Sequence, residues 1–81
     1  MADDIEYSAV VDKIIGDGKH GPYAVAFSDE LGYITFSLDP EVWQEKKFPD
    51  PGMCVLLSQI RKKRAGWRAE TGRYVRPSDV P

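Results

Sequence analysis

Gly21-Pro-Tyr-Ala-Val-Ala-Phe-Ser-Asp-Glu-Leu-Gly-Tyr-Ile-Thr-Phe-Ser-Leu38 decides how this chain is read. Two runs of aromatic and β-branched residues flank Ser28-Asp29-Glu30, and each run opens with a glycine. Tyr, Phe, Val, Ile and Thr suit a pleated, half-buried surface, whereas Ser, Asp and Gly suit a turn. The stretch therefore predicts a β-hairpin, Tyr23–Phe27 paired with Tyr33–Leu38. Such a hairpin needs further strands to close over it, because two short strands alone are barely stable in water.

The strands needed lie on both sides. Upstream, Tyr7 to Ile15 is rich in β-branched residues and free of Gly and Pro. It reads as a strand, with a short helix as the alternative that so short a window leaves open. Gly16 to Pro22 is a loop with three glycines and a proline. Its glycines match neither phosphate-cradle spacing, no helix follows them, and His20 within it reads as a solvated side chain. Downstream, Asp39-Pro40-Glu41 has a cap, a first-turn proline and a dipole-complementing acid. This predicts a short helix over Pro40–Glu45, with Val42 or Trp43 plugging one end of a barrel. Phe48 to Gly52 is a Pro-rich turn, and Met53–Ile60 is a strand apolar on both faces. Arg61-Lys-Lys-Arg-Ala-Gly66 is a basic turn. Trp67–Thr71 and Arg73–Arg76 return as one strand or two, with Gly72 as a bulge between them.

Many short strands with Gly/Pro turns indicate an all-β barrel or sandwich. A helix between the third and fourth strands is the order of the five-stranded OB-fold. The expected architecture is a single OB-like domain over 1–81, with 1–6 and 77–81 as flexible tails. Its core is expected around Val11, Ile15, Ile34, Phe36, Leu56 and Ile60 or their immediate neighbours.

Charge is distributed unevenly. Residues 1–60 carry a net −7 and residues 61–81 a net +5, so a basic patch sits on an acidic body whose total is −2. Fields are local at a Debye length of about 8 Å, so such a patch attracts a polyanion despite the acidic total. A single cysteine, Cys54, allows no internal disulfide and points to a reducing cytoplasm. Within its apolar run it reads as a buried, inert thiol. No segment is long and apolar enough to cross a bilayer, no signal peptide is expected from the acidic start, and no membrane partner is expected. No Ser/His/Asp arrangement, Cys–His pair or metal-ligand cluster is present, so the chain reads as a non-enzyme with no cofactor.

Gly21-Pro-Tyr23-Ala-Val and Gly32-Tyr-Ile-Thr-Phe-Ser37, followed by Pro51-Gly-Met-Cys-Val-Leu-Leu-Ser58, resemble successive strands of the S1 RNA-binding domain, a branch of the OB-fold superfamily. Cold-shock domains are an equal match. The resemblance covers the order of parts over roughly residues 7–76. It implies single-stranded RNA across the hairpin face, with Tyr23 stacking on a base and Tyr33 beside it. The family's histidine position holds Thr35, which removes one stacking ring. The family's phosphate-contacting residue falls among Arg61, Lys62, Lys63 and Arg64, none of which aligns individually.

From the residues themselves, Arg61 to Arg68 combines cations with Trp67, and cations supply the phosphate term while rings supply stacking. The expected contacts are Tyr33 and Trp67 to bases and Arg61, Lys62, Lys63, Arg64, Arg68 and Arg73 to phosphates. Period-2 alternation puts Tyr33 outward. In Tyr23–Ser28 it groups Tyr23, Val25 and Phe27 together, and the larger set belongs in a core. The resemblance instead turns Tyr23 outward, so its direction stays open here. The leading expectation is a non-catalytic binding module for single-stranded nucleic acid, RNA ahead of DNA. The runner-up is a protein-interaction module on the same barrel, and a third reading is an SH3-like barrel. Oligomeric state is not set by the sequence.

Overall fold

The computed structural model describes residues 5–17, 21–64 and 66–76. His20, residues 1–4 of the expected tail 1–6, and the expected tail 77–81 lie outside the described residues. Five strands form: β1 (Glu6–Ile15), β2 (Tyr23–Ser28), β3 (Gly32–Ser37), β4 (Cys54–Lys63) and β5 (Gly66–Tyr74). They close in the order β1-β2-β3-β5-β4, with β4 returning to β1. All neighbours are antiparallel except β3 and β5, which run parallel. This is a small closed barrel consistent with an OB-like fold.

The register shows how strongly the barrel is staggered. The Val11 amide donates to the carbonyl of Met53, just before β4 begins. Stepping strand to strand, Val11 faces Ala26, Ala26 faces Ile34, Ile34 faces Trp67, and Trp67 faces Lys62, near the top of β4. Closing five strands around side chains requires this tilt and stagger. Two irregularities assist. β1 bulges between Val11 and Lys13, so that Val11 and Ile14 both point inward. Gln59 in β4 adopts a left-handed φ of 54°, so that Leu57 is buried and Ile60 also packs inward.

The hairpin forms as the central stretch predicts, with Tyr23 opposite Ser37 and Phe27 opposite Tyr33. Its turn is tied by Ser28, whose buried hydroxyl accepts the Glu30 and Leu31 amides at 3.2 and 3.4 Å. Gly32 follows at φ +85°, a conformation costly for any residue with a Cβ. Ala24, Ala26 and Ser28 face the core, which sends Tyr23, Val25 and Phe27 outward. A five-stranded barrel is narrow, and it takes up small side chains at Ala9, Ala24, Ala26 and Ala69. Size alone therefore gives the wrong face for β2.

The rest of the core holds Val11, Ile34, Phe36, Leu38, Val55 and Leu57. Val55 and Leu57 take the place expected for Leu56, which is half-buried on the other side of β4. Ile14, and not the half-buried Ile15, packs against the core from the end of β1. Glu6, expected in a tail, opens β1 opposite Ser58. Cys54 is exposed, not buried.

The expected helix over Pro40–Glu45 is absent. The Asp39 carbonyl accepts the amides of Val42 and Trp43 at 2.9 and 2.8 Å, a single helical turn that goes no further. The next amide, of Gln44, donates instead to the Gly72 carbonyl at 2.9 Å, and the Gly72 amide donates to Val42 at 2.9 Å. Docking on β5 thus captures the groups a helix would use. It drives Trp43 into the barrel floor, 2% exposed, between Phe36 and Tyr74 with ring centroids 5.7 and 5.0 Å away. The Trp43 indole N–H donates to the Lys47 carbonyl at 2.7 Å. The plug role expected for Trp43 holds without the helix. Gly72 lies within β5 beneath it: a Cβ there would meet Leu57 at 2.9 Å and the Trp43 ring at 3.2 Å.

Candidate nucleic-acid interface

Alternation along the strands leaves one face of the barrel for solvent, and the register sorts that face into rows. The first row crosses four strands: Cys54 pairs with Val10, Val10 with Phe27, and Phe27 with Tyr33. All four are exposed: Val10 and Phe27 each at 44%, Tyr33 at 59%. Phe27 and Tyr33 form an edge-to-face pair with centroids 5.2 Å apart. Burial of such a pair contributes favourably, so rings of this size left open to water mark a candidate interaction surface.

The second row lies one pleat away, roughly 7 Å along the strands. Lys13 pairs with Val25, Val25 with Thr35, Thr35 with Arg68, and Arg68 with Arg61. Lys13, Arg61 and Arg68 are exposed, and Val25 and Thr35 half-buried. The β1 bulge keeps Lys13 in this row by placing Asp12 as the extra residue. Among the described residues Lys13 and Arg68 make no ion pair, and Arg61 makes one long one, 3.8 Å to Glu70. A third row holds Tyr23, half-buried, between Ile15 and Ser37. Rings therefore stand at both ends of β2 with cations between them, about 13 Å from Tyr23 to Phe27 at strand rise.

The residues singled out by sequence divide accordingly. Tyr23, Tyr33, Thr35, Arg61 and Arg68 share this outer face. The Thr35 hydroxyl donates to the Trp67 carbonyl at 3.5 Å. Lys63 and Arg64 are exposed at the β4–β5 tip, next in sequence to that face. Trp67 does not join Tyr33. It is half-buried, follows the inward parity of Ala69 and packs against the core, with Lys62 Nζ 5.6 Å from its ring centroid. At that distance a cation is attracted by the ring. Arg73 is held elsewhere, with Nε and one terminal nitrogen on the two Glu6 carboxylate oxygens at 3.1 and 3.0 Å and the other on the Tyr74 carbonyl at 3.2 Å. This bidentate pair ties β1 to β5.

Three residues of the face escaped the sequence reading. Phe27 was hidden by the size argument for β2. Val10 and Lys13 sit in β1, and only pairing with β2 shows that they extend the hairpin face. Tyr7–Ile15 has apolar residues on both parities, so its pattern assigns Val10 to no face, and the bulge breaks the parity before Lys13. No cluster of His, Cys, Asp and Glu that could hold a metal occurs among the described residues. No helix among them is long and apolar enough to cross a membrane. Compared with protein-family profiles, with curated proteins and with solved structures, the chain gives no match.

Proposed function

We propose that this chain is a non-catalytic module that binds single-stranded nucleic acid, with RNA the first candidate, across the outer face of β1, β2, β3 and β5 and the Arg61 end of β4. The observation that carries this reading is the alternation of chemistry on that face: Phe27 and Tyr33 in one row, Lys13, Arg68 and Arg61 in the next, Tyr23 in the third. A single strand offers flat bases and a regularly spaced anionic backbone. Base–ring stacking contributes about 1–3 kcal/mol per base and tolerates any base. Cations contribute a salt-dependent term through released counterions. OB-type barrels bind oligonucleotides on the face of their second and third strands, where these rings lie. Lys62, Lys63 and Arg64 extend the positive field above it, while Trp67 supports the tip from within.

Titration of a labelled single-stranded oligonucleotide at two salt concentrations tests the reading. Three phosphate contacts give a log–log salt slope of about −2, or a roughly tenfold to twentyfold loss between 50 and 200 mM salt. Arg68→Ala lowers the affinity and flattens the slope by about 0.7. Absence of binding to any RNA or DNA oligonucleotide at low salt overturns the proposal.

A further inference from the structure

The Phe27–Tyr33 pair is bordered by opposite charges. Toward the middle of the sheet lies the cationic row of Lys13 and Arg68. On the other side, beyond Ser28, lie the carboxylates of Asp29 and Glu30. Between the Phe27 ring and these carboxylates is a cleft of about 310 Å³, lined by Ser8, Ala9, Val10, Phe27, Ser28, Asp29 and Glu30. Asp29 and Glu30 are exposed and make no ion pair or side-chain hydrogen bond among the described residues. They are thus free to receive a donor. Resting on the single-strand reading above, we infer that this cleft selects the stacked base and prefers guanine.

The argument follows from the order of the three bands. A nucleotide is polarised: its phosphate is anionic, its ring faces are flat and apolar, and its pairing edge carries the hydrogen-bond groups. Cations fix the phosphate on the inner side of the rings, and carboxylates repel it from the outer side. The base on Phe27 then points its edge across the cleft at Asp29 and Glu30. A carboxylate accepts and cannot donate. Guanine presents two adjacent donors, its ring N1–H and its exocyclic amine, which one carboxylate receives through both oxygens. Ser8 lines the same cleft, and a serine hydroxyl can donate to the guanine carbonyl. Adenine and cytosine present one amine each. Uracil presents a single N–H between two carbonyls, which the carboxylates repel. The preference runs guanine first, then adenine and cytosine, then uracil.

Short uridine oligoribonucleotides carrying one central guanosine, adenosine, cytidine or inosine test this by anisotropy. Guanosine tightens binding about tenfold over the all-uridine strand, the scale of one good bidentate pair. Inosine lacks the amine and stays within about threefold of uridine. Asp29→Ala with Glu30→Ala removes the preference while leaving the all-uridine affinity equal or tighter, since two repelling charges go. Its thermal melt checks that the turn, held by Ser28, persists. All four bases binding within about twofold, or a guanine preference that survives the double variant, overturns the inference and leaves the single-strand reading standing. Failure of every strand to bind removes that reading instead.

Discussion

The barrel has two aromatic clusters, one in its floor and one on its outer sheet. Their ring spacings are alike: 5.7 and 5.0 Å around Trp43, 5.2 Å between Phe27 and Tyr33. Their surroundings are not. In the floor the Trp43 N–H and the Tyr74 hydroxyl both donate to backbone carbonyls, and Trp43 is almost wholly buried. On the sheet, the rings stand in water and the Tyr33 hydroxyl finds no partner among the described residues. Ring contact alone does not tell a cluster that closes the fold from one left open to solvent. Burial and the closing of polar groups do, because a buried unpaired donor costs free energy while an exposed one is served by water.

Substituting one ring from each cluster gives the largest contrast. Trp43→Ala leaves a cavity among Phe36, Leu57 and Tyr74 and costs about 3–5 kcal/mol. A domain of this size has little more to lose, since small folds sit near the low end of about 5–15 kcal/mol. Urea denaturation should find the variant largely unfolded. Tyr33→Ala gives up only its edge contact with Phe27, within roughly 1 kcal/mol. It should weaken oligonucleotide binding by about 1–3 kcal/mol, or some 5- to 150-fold. If Tyr33→Ala unfolds the chain as Trp43→Ala does, the two clusters are not different in kind.

Gly72→Ala probes the floor from the opposite direction, by adding an atom. The new Cβ would lie 2.9 Å from the end of the Leu57 side chain, which can rotate, and 3.2 Å from the Trp43 ring, which is clamped by its N–H bond. Overpacking of this kind costs about 1–3 kcal/mol. The expected result is a lower denaturation midpoint with an unchanged slope, and with oligonucleotide affinity intact in the folded fraction. A stabilised variant would mean that the floor has slack and that Trp43 is not wedged.

The outer sheet and the floor also differ in how far the sequence discloses them. β-branched and aromatic runs mark the strands well, and alternation in Tyr33–Ser37 correctly turns Tyr33 out and Ile34 and Phe36 in. Where both parities are apolar, as in Met53–Leu57, alternation carries no information, and Leu56 and Leu57 exchange roles. The helix signals at Asp39-Pro40-Glu41 are real but local. They act for one turn, until backbone bonds to Gly72, distant in sequence, take over. Arg73 reads as a surface cation because Glu6, its partner, lies 67 residues away in the chain. The hairpin half of the candidate interface is legible, since it lies within one contiguous stretch. Its β1 contribution is not, because it depends on a pairing and a bulge that only the closed barrel defines.

The smallest expected effect tests whether the floor is as closed as its hydrogen bonds suggest. The Tyr74 hydroxyl donates to the carbonyls of Lys47 and Phe48 at 2.9 and 3.1 Å, while its ring stands edge-on to Trp43. Burial, and then the nearby Asp50 and Glu45 carboxylates, raise its pKa above the ordinary tyrosine value. Tyr74→Phe keeps the ring and loses the donor, at a cost near the lower end of about 0.5–1.5 kcal/mol because the site is edged by solvent. A raised folded pKa means that the unfolded chain gives up this proton first. The hydroxyl's contribution is therefore complete below the unfolded value of about 10 and declines as pH rises through the folded one. Urea melts at about pH 8 and again about one unit above 10 should show wild type more stable than Tyr74→Phe in the first and the gap narrowed in the second. A gap that stays constant across that range would place the phenol in open water, and the floor would then resemble the outer sheet more than its bonding implies.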